Sequence, residues 1–322
     1  MYCTVLYCIA VQKWQGSPIY VGVIGGSGLY KLDSLVPVAE INVATPWGSP
    51  SSPITIAKTE SGIHCAFLAR HGRAHAIAPS SVPVLANISA LKHLGVRAIL
   101  AFSAVGSLRE EIRPKDFVIP SQIIDRTKGI RRASFFGYGH ESSVVAHAGF
   151  GDPFDESLRP VVAQIVRETL QHSNPDVHVH TDKTVVCMEG PQFSTRAESI
   201  MYRQWGGDII NMSVLPEAKI AREAEVSYVL IATATDYDSW RPSSEAVNVA
   251  EVLESLASNV AASNKVTVSL LDKIHNIVQD ENSPTVKAIR DSMRFAVMTK
   301  PQFIDQKTKD NIRFVLPWFA HE

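Results

Sequence analysis

The chain predicts an α/β fold built around one twisted sheet. Short β-rich apolar runs alternate with helix-length stretches along its 322 residues, as in a chain that passes repeatedly from strand to helix. Several of those runs end on Gly, Ser or Asp, and in such folds ligands sit at the carboxyl ends of the strands.

In chain order, residues 19–24 form the first run and pass into Gly25-Gly26-Ser27-Gly28. Residues 98–102 pass into Ser103-Ala104-Val105-Gly106, and residues 117–119 follow a Pro-Lys-Asp turn. Residues 185–188 lead to Glu189-Gly190-Pro191, and Ile209-Ile210 leads to Asn211-Met212-Ser213. Residues 226–232 read as a buried strand, with Asp236 and Asp238 just past its expected end. Helices are expected over 84–94, 158–171, 196–205 and about 246–280. The last is amphipathic, with Val249, Leu253, Leu256 and Val260 on one face at helical spacing. Residues 1–18 read as an extension ahead of the first strand, and 19–322 as the domain. "MYCTVLYCIAVQ" is apolar, but it has no basic residue ahead of it and no small-residue cleavage site, so it makes a poor signal peptide.

Bulk chemistry excludes several classes. Hydrophobic residues make up 45% and charged residues 20%, which is ordinary for a globular protein. Lys plus Arg is 31 and Asp plus Glu is 32, a balance unlike that of a nucleic-acid binder that relies on a basic surface. No apolar stretch is long enough to span a bilayer. Cys3, Cys8, Cys65 and Cys187 are scattered and form no CxxC pair, so reduced thiols in the cytoplasm are expected, with no disulfide framework and no zinc cluster.

The chemistry-bearing motifs lie at the ends of the runs. "VGVIGGSGLY" can bring backbone N–H groups up to a phosphate. Lys31 breaks the dinucleotide fingerprint, no Gly-Lys-Ser/Thr follows, and Leu29 breaks the hydrolase elbow. That leaves a cradle for a small anion, with Ser27 able to donate, or a tight turn. In "LARHGRAH", Arg70 can fork onto phosphate oxygens and His71 can add a donor, while Arg73 suits a solvated turn. Zinc on His71 and His75 would need a helix; Gly72 lies between them and no Glu adjoins His71, so no metal is expected. Ser103 stands at a strand end. Arg109, Glu110 and Glu111 suit a solvated face. Phe193 could stack on a flat ring or fill the core. Met212 offers a soft apolar contact, and Ser213 another hydroxyl.

Together, Ser27, Arg70, His71, Ser103 and Ser213 can supply donors for one anion the size of phosphate. Phe193 and Met212 supply apolar walls, and Asp236 and Asp238 supply acceptors or a proton. Such a set suits a nucleoside and phosphate. Spacing alone does not bring these groups together, and the two aspartates could equally form a solvated turn.

The collinear set "IGGSGLY", "TPWGSPSSP", "ARHGRAH", "SAVGSLREE", "EGPQFSTRAES", "NMSVLPEA" and "ATDYDSW" resembles the trimeric purine nucleoside phosphorylases, in their methylthioadenosine branch, from about residue 21 to 256. The resemblance implies a single domain with a central twisted mixed β-sheet flanked by helices. It implies phosphorolysis of methylthioadenosine, with inorganic phosphate as co-substrate and no cofactor or metal. By position, the phosphate would meet Ser27, Arg70, His71, Ser103, Ala104 and Ser213. Met212 would lie under the ribose and Phe193 along the base. Asp236, Tyr237 and Asp238 would meet the purine, Asp236 as the catalytic acid. His75, Val249 and Leu253 would form the methylthio pocket, with His75 acting from a neighbouring subunit of a homotrimer. Relatives that cleave 6-oxopurine nucleosides carry Asn at the Asp236 position and Glu at the Ser194 position, so both residues imply a 6-amino purine. Val105 stands where animal members have Cys, and the long tail after residue 297 resembles fungal members. Nucleic acid and membrane are not expected as partners. The family adds the nucleus to the cytoplasm as an expected location.

Overall fold

A computed structural model describes residues 14–30, 32, 35–137, 144–241 and 249–319, with side chains from Ser255 onward in the last segment. The chain opens with β1 (Val21–Gly25), β2 (Val36–Ile41), β3 (Ile54–Lys58) and β4 (His64–Ala69). Helix α1 (Val84–His93) leads to the long β5 (Ala98–Ser107), then β6 (Phe117–Ile119) and β7 (Gln122–Arg126). Next come α2 (Leu158–Ser173), β8 (Val179–Thr181), β9 (Thr184–Met188), α3 (Arg196–Gln204) and β10 (Ile209–Asn211). The remainder is α4 (Val214–Glu223), β11 (Ser227–Tyr237), α5 (Val249–Gln279), α6 (Pro284–Ile289) and α7 (Gln306–Arg313).

All of these strands join one mixed sheet in the order β2-β3-β4-β1-β5-β10-β9-β7, with a second branch running from β5 through β11 and β6 to β8. β5 is the trunk: its length lets β1 and β11 pair with it in parallel while its last residues pair antiparallel with β10. The central strands are buried on both faces, as parallel strands covered by helices must be. Side chains alternate across the sheet. Ile24, Ile99 and Leu230 enter the core shared with α1 and α4; Val23, Leu100 and Ile231 enter the one shared with α2 and α5. α5 presents Ala262, Val266, Leu270, Ile274 and Val278, each one helical turn from the last, to that second core.

Sequence and structure differ in three places. β11 continues past residue 232 to Tyr237, so Asp236 lies within the strand and not beyond it. β5 likewise continues through Gly106 to Ser107. Residues 1–13 and 242–248 lie outside the described residues, but Trp14, counted in the extension, packs its ring 5.3 Å from His64. Cys65 and Cys187 are free and buried, and burial pushes both thiols up to about 12, whereas Cys3 and Cys8 lie outside the described residues. No helix among the described residues is long and apolar enough to cross a membrane.

Candidate active site

The carboxyl ends of β1, β4, β5, β9, β10 and β11 surround one cavity of about 430 Å³. That is a usual size for a small-molecule site. Ser27, Arg70, His71, His75, Ser103, Ala104, Phe193, Met212, Ser213, Asp236 and Asp238 all line it. Residues spread over most of the chain thus meet because the sheet gathers its strand ends in one place.

One end of the cavity carries hydroxyls and a guanidinium. Ser103 Oγ and Ser213 Oγ lie 3.2 Å apart, and Asn211 Nδ2 donates to Ser103 Oγ at 3.1 Å. Arg70 is buried. Its Nε and Nη2 donate to the two oxygens of Glu217, each at 2.8 Å, and Nη1 donates to the Phe102 carbonyl at 2.7 Å. Of its five N–H groups, two remain for an anion. Gly26 is required here, because a Cβ on it would sit 2.5 Å from Phe102 O. His71 departs from its expected part. Its Nδ1 lies 2.8 Å from the Ile77 carbonyl, which can only accept, so Nδ1 carries the hydrogen. Burial first, and the Arg70 charge next, push the ring down to about 4, so it is neutral and Nε2 is an acceptor. The donor that sequence assigns to the anion is spent on Ile77.

The other end carries the carboxylates. A bulge between Ala234 and Asp236 leaves Thr235 out of register with β5, and bulges re-aim the side chains beside them. Thr235 Oγ1 donates to Asp236 Oδ1 at 2.6 Å. Burial, and then the Asp238 charge, raise Asp236 to about 6 against the pull of Thr235. Burial also raises Asp238 against the pull of the Ser199 hydroxyl and the Ser239 N–H, and its enclosed Oδ2 makes no hydrogen bond of normal geometry among the described residues. One end can therefore hold a proton near neutral pH, and beside it stands a second, buried carboxyl group with an acceptor left unfilled.

Between the ends, Met188, Met212, Val105 and Ile210 form an apolar slot, and Phe193, 54% exposed, flanks its mouth. Gly190 is needed for this wall, since its φ is +71° and a Cβ there would lie 2.4 Å from Met212 Sδ. The two wall segments are tied together by buried Arg131. Its Nε donates to Glu189 Oε1 at 2.6 Å and Nη1 donates to the carbonyls of Met212 and Leu215. Nη2 donates to the carbonyls of Met188 and Glu189, so all five N–H groups are used.

A family model described as the phosphorylase superfamily matches residues 20–272. The chain belongs to that superfamily. It is 72% identical to the S-methyl-5'-thioadenosine phosphorylase of Mycosarcoma maydis, over 97% of this chain and 98% of that one. Among solved structures, it superposes with a TM-score of 0.83 on a methylthioadenosine phosphorylase from an antarctic soil metagenomic library, at 39% identity over 93% of this chain and 99% of that one. The methylthioadenosine phosphorylase of Schistosoma mansoni, solved in complex with adenine, gives a TM-score of 0.77 at 34% identity, over 86% of this chain and 98% of that one.

Three residues of this superfamily member stand elsewhere than expected. Tyr237 is absent from the cavity wall: its hydroxyl donates to Glu110 O at 3.3 Å, and Arg241 stacks on its ring at 3.6 Å. Strand alternation turns it to the opposite side from Asp236 and Asp238. His75, expected to serve a neighbouring subunit, lines the cavity of its own chain. The tight turn after Arg70, with φ +51° at His75, curls the ring back to 4.7 Å from His71, and Tyr30 Oη meets its Nδ1 at 3.1 Å. Ser194 is buried behind the wall, with Oγ 3.4 Å from Met188 Sδ. Val249 and Leu253 lie on the first turns of α5, and their side chains fall outside the described residues. Sequence reasoning gave no part to Glu217, Thr235, Asn211 or Arg131. Glu217 carried a signal: it is an acid in the otherwise apolar start of "VLPEAKIA".

Proposed function

We propose that the protein catalyses the reversible phosphorolysis of S-methyl-5'-thioadenosine, giving adenine and S-methyl-5-thio-α-D-ribose 1-phosphate, in purine and methionine salvage. One observation carries the reading: a single cavity has an anion subsite at one end and a protonatable carboxyl beside a second carboxyl group at the other. Phosphate, held by Ser27, Arg70, Ser103, Ala104 and Ser213, attacks C1' of the sugar. The C1'–N9 bond breaks, and its electron pair leaves with the base. Positive charge grows on the sugar, where the phosphate dianion opposes it. Negative charge grows on the purine, where Asp236 donates its proton to N7. His71 accepts the hydrogen of a singly protonated phosphate through Nε2, which leaves the attacking oxygens unhindered.

Asp238 sets the base. The adenine 6-amino group donates to its carboxylate, whereas a 6-oxo group would bring one acceptor against another. The methylthio group fits the apolar end beside His75 and Leu256, toward Val249 and Leu253. The exposed face of Phe193 is in keeping with a second subunit closing the site, as in a homotrimer, which native mass spectrometry would test. We place the enzyme in the cytoplasm and the nucleus. Phosphorus NMR of methylthioadenosine incubated with enzyme and phosphate tests the chemistry. A sugar 1-phosphate resonance is expected, and free methylthioribose without it would mean that water attacks instead.

A further inference from the structure

The anion subsite presents an electrostatic puzzle. Arg70 is the one arginine or lysine among the described residues lining the cavity. Its side chain is 2% exposed and that of Glu217 is 1% exposed. Glu217 Oε2 takes Arg70 Nε–H; Oε1 takes Arg70 Nη2–H at 2.8 Å and the Tyr228 hydroxyl at 2.6 Å. A carboxyl group that meets only donors sits there as the carboxylate. His71 adds no charge, because burial and the adjacent Arg70 guanidinium keep its ring neutral, with its one hydrogen on the nitrogen that faces Ile77 O. The subsite therefore offers hydrogen-bond donors with no net positive charge. A site built only to bind a dianion tightly would not bury an anion against its sole cation, since such a pair costs desolvation and cancels its own field.

We propose that Glu217 is a positioning residue that sets the charge of this subsite: it neutralises Arg70 and aims the two remaining N–H groups, so that phosphate is held by hydrogen bonds and keeps its negative charge for the sugar cation. The proposal rests on the phosphorolysis reading. Binding is spent on geometry, and the charge is felt where it develops in the transition state. Tyr228 fixes the far side of the carboxylate.

The test is a double-mutant cycle on Glu217→Gln and Arg70→Gln, read by calorimetric titration of inorganic phosphate into the free protein and by steady-state kinetics with methylthioadenosine. Phosphate titration needs no nucleoside, and wild-type phosphorolysis is measured first, so a failure of the reaction assignment shows in the wild type before any variant is compared. In Glu217→Gln, phosphate affinity should rise by on the order of tenfold while kcat falls by a similar factor, since an uncompensated charge now faces the dianion. A purely structural Glu217 would give weaker phosphate binding, with kcat and affinity falling together; that result overturns the proposal. In Arg70→Gln, the unpaired carboxylate should abolish phosphate saturation, and adding Glu217→Gln should recover it. If a single variant does not fold, the uncharged double variant decides alone. Phosphate binding within about tenfold of wild type supports charge balance, and no detectable binding overturns it.

Discussion

Replacing Asp236 by Asn removes an acid and leaves an amide of nearly the same shape. The amide can still donate to N7, but it has no proton to transfer. With the carboxyl at about 6, roughly one free enzyme molecule in ten carries that proton at pH 7. The wild-type kcat/KM should therefore fall on the alkaline side with a midpoint near 6, because this profile reports groups of the free enzyme. Loss of a positioned general acid costs roughly 10² to 10⁴ in rate. We expect kcat for methylthioadenosine to drop by about a thousandfold in Asp236→Asn, toward the middle of that range, and the alkaline limb to vanish. Phosphate affinity should stay within about twofold, since the anion subsite lies at the opposite end of the cavity and the two sites share no hydrogen bond. The assay is adenine release from about pH 5 to 8, at saturating methylthioadenosine for kcat and well below its KM for kcat/KM, with phosphate titrated separately. A kcat within about threefold of wild type, or an unchanged alkaline limb, refutes the N7 role.

Three further outcomes are expected. Asp238→Asn puts a donor where the buried acceptor Oδ2 stands; kcat/KM for methylthioadenosine should fall about ten- to a hundredfold while inosine cleavage rises, as product analysis of both substrates will show. Burial raises Glu223 to about 7 although Ser134 and Phe135 donate to it. The folded state then holds a proton that the unfolded chain releases near 4.5, so its stability falls as pH rises from about 4.5 to 7. Glu223→Gln should remove up to about 3 kcal/mol of that slope in urea unfolding at pH 5 and pH 8, and an unchanged slope would contradict the assignment. Activity should survive chelation with EDTA, because phosphate supplies the nucleophile and Asp236 the acid; full loss that zinc or magnesium restores would count against the account.

Much of the architecture is legible because central strands of a covered sheet are continuous apolar runs. Residues 117–119 coincide with β6, and 84–94 and 196–205 fall within a residue of α1 and α3. β2 escapes because it is an exposed edge strand carrying Pro37, and β7 because most of its residues are exposed and none is buried. α4 escapes because Pro216 interrupts the helical pattern, and Leu215 is indeed extended inside it. The hydroxyls at strand ends are visible for the same reason that the fold is. What holds them is not. Glu217 lies 147 residues from Arg70, and no local pattern links a carboxylate to a guanidinium across that distance. Tyr237 shows the opposite failure: the period of two along β11 separates it from its acidic neighbours, and only the assumption that the strand had already ended hid that. His71 looks like a donor in sequence, and only the Ile77 carbonyl beside Nδ1 reverses its role.

Base release from methylthioadenosine and from inosine, each with and without inorganic phosphate, tests the central claim most directly. The account predicts adenine from methylthioadenosine only when phosphate is present, and no hypoxanthine from inosine. Phosphate-dependent cleavage of inosine would contradict the part given to Asp236 and Asp238. Adenine released at the same rate without phosphate would contradict the anion subsite and with it the reaction.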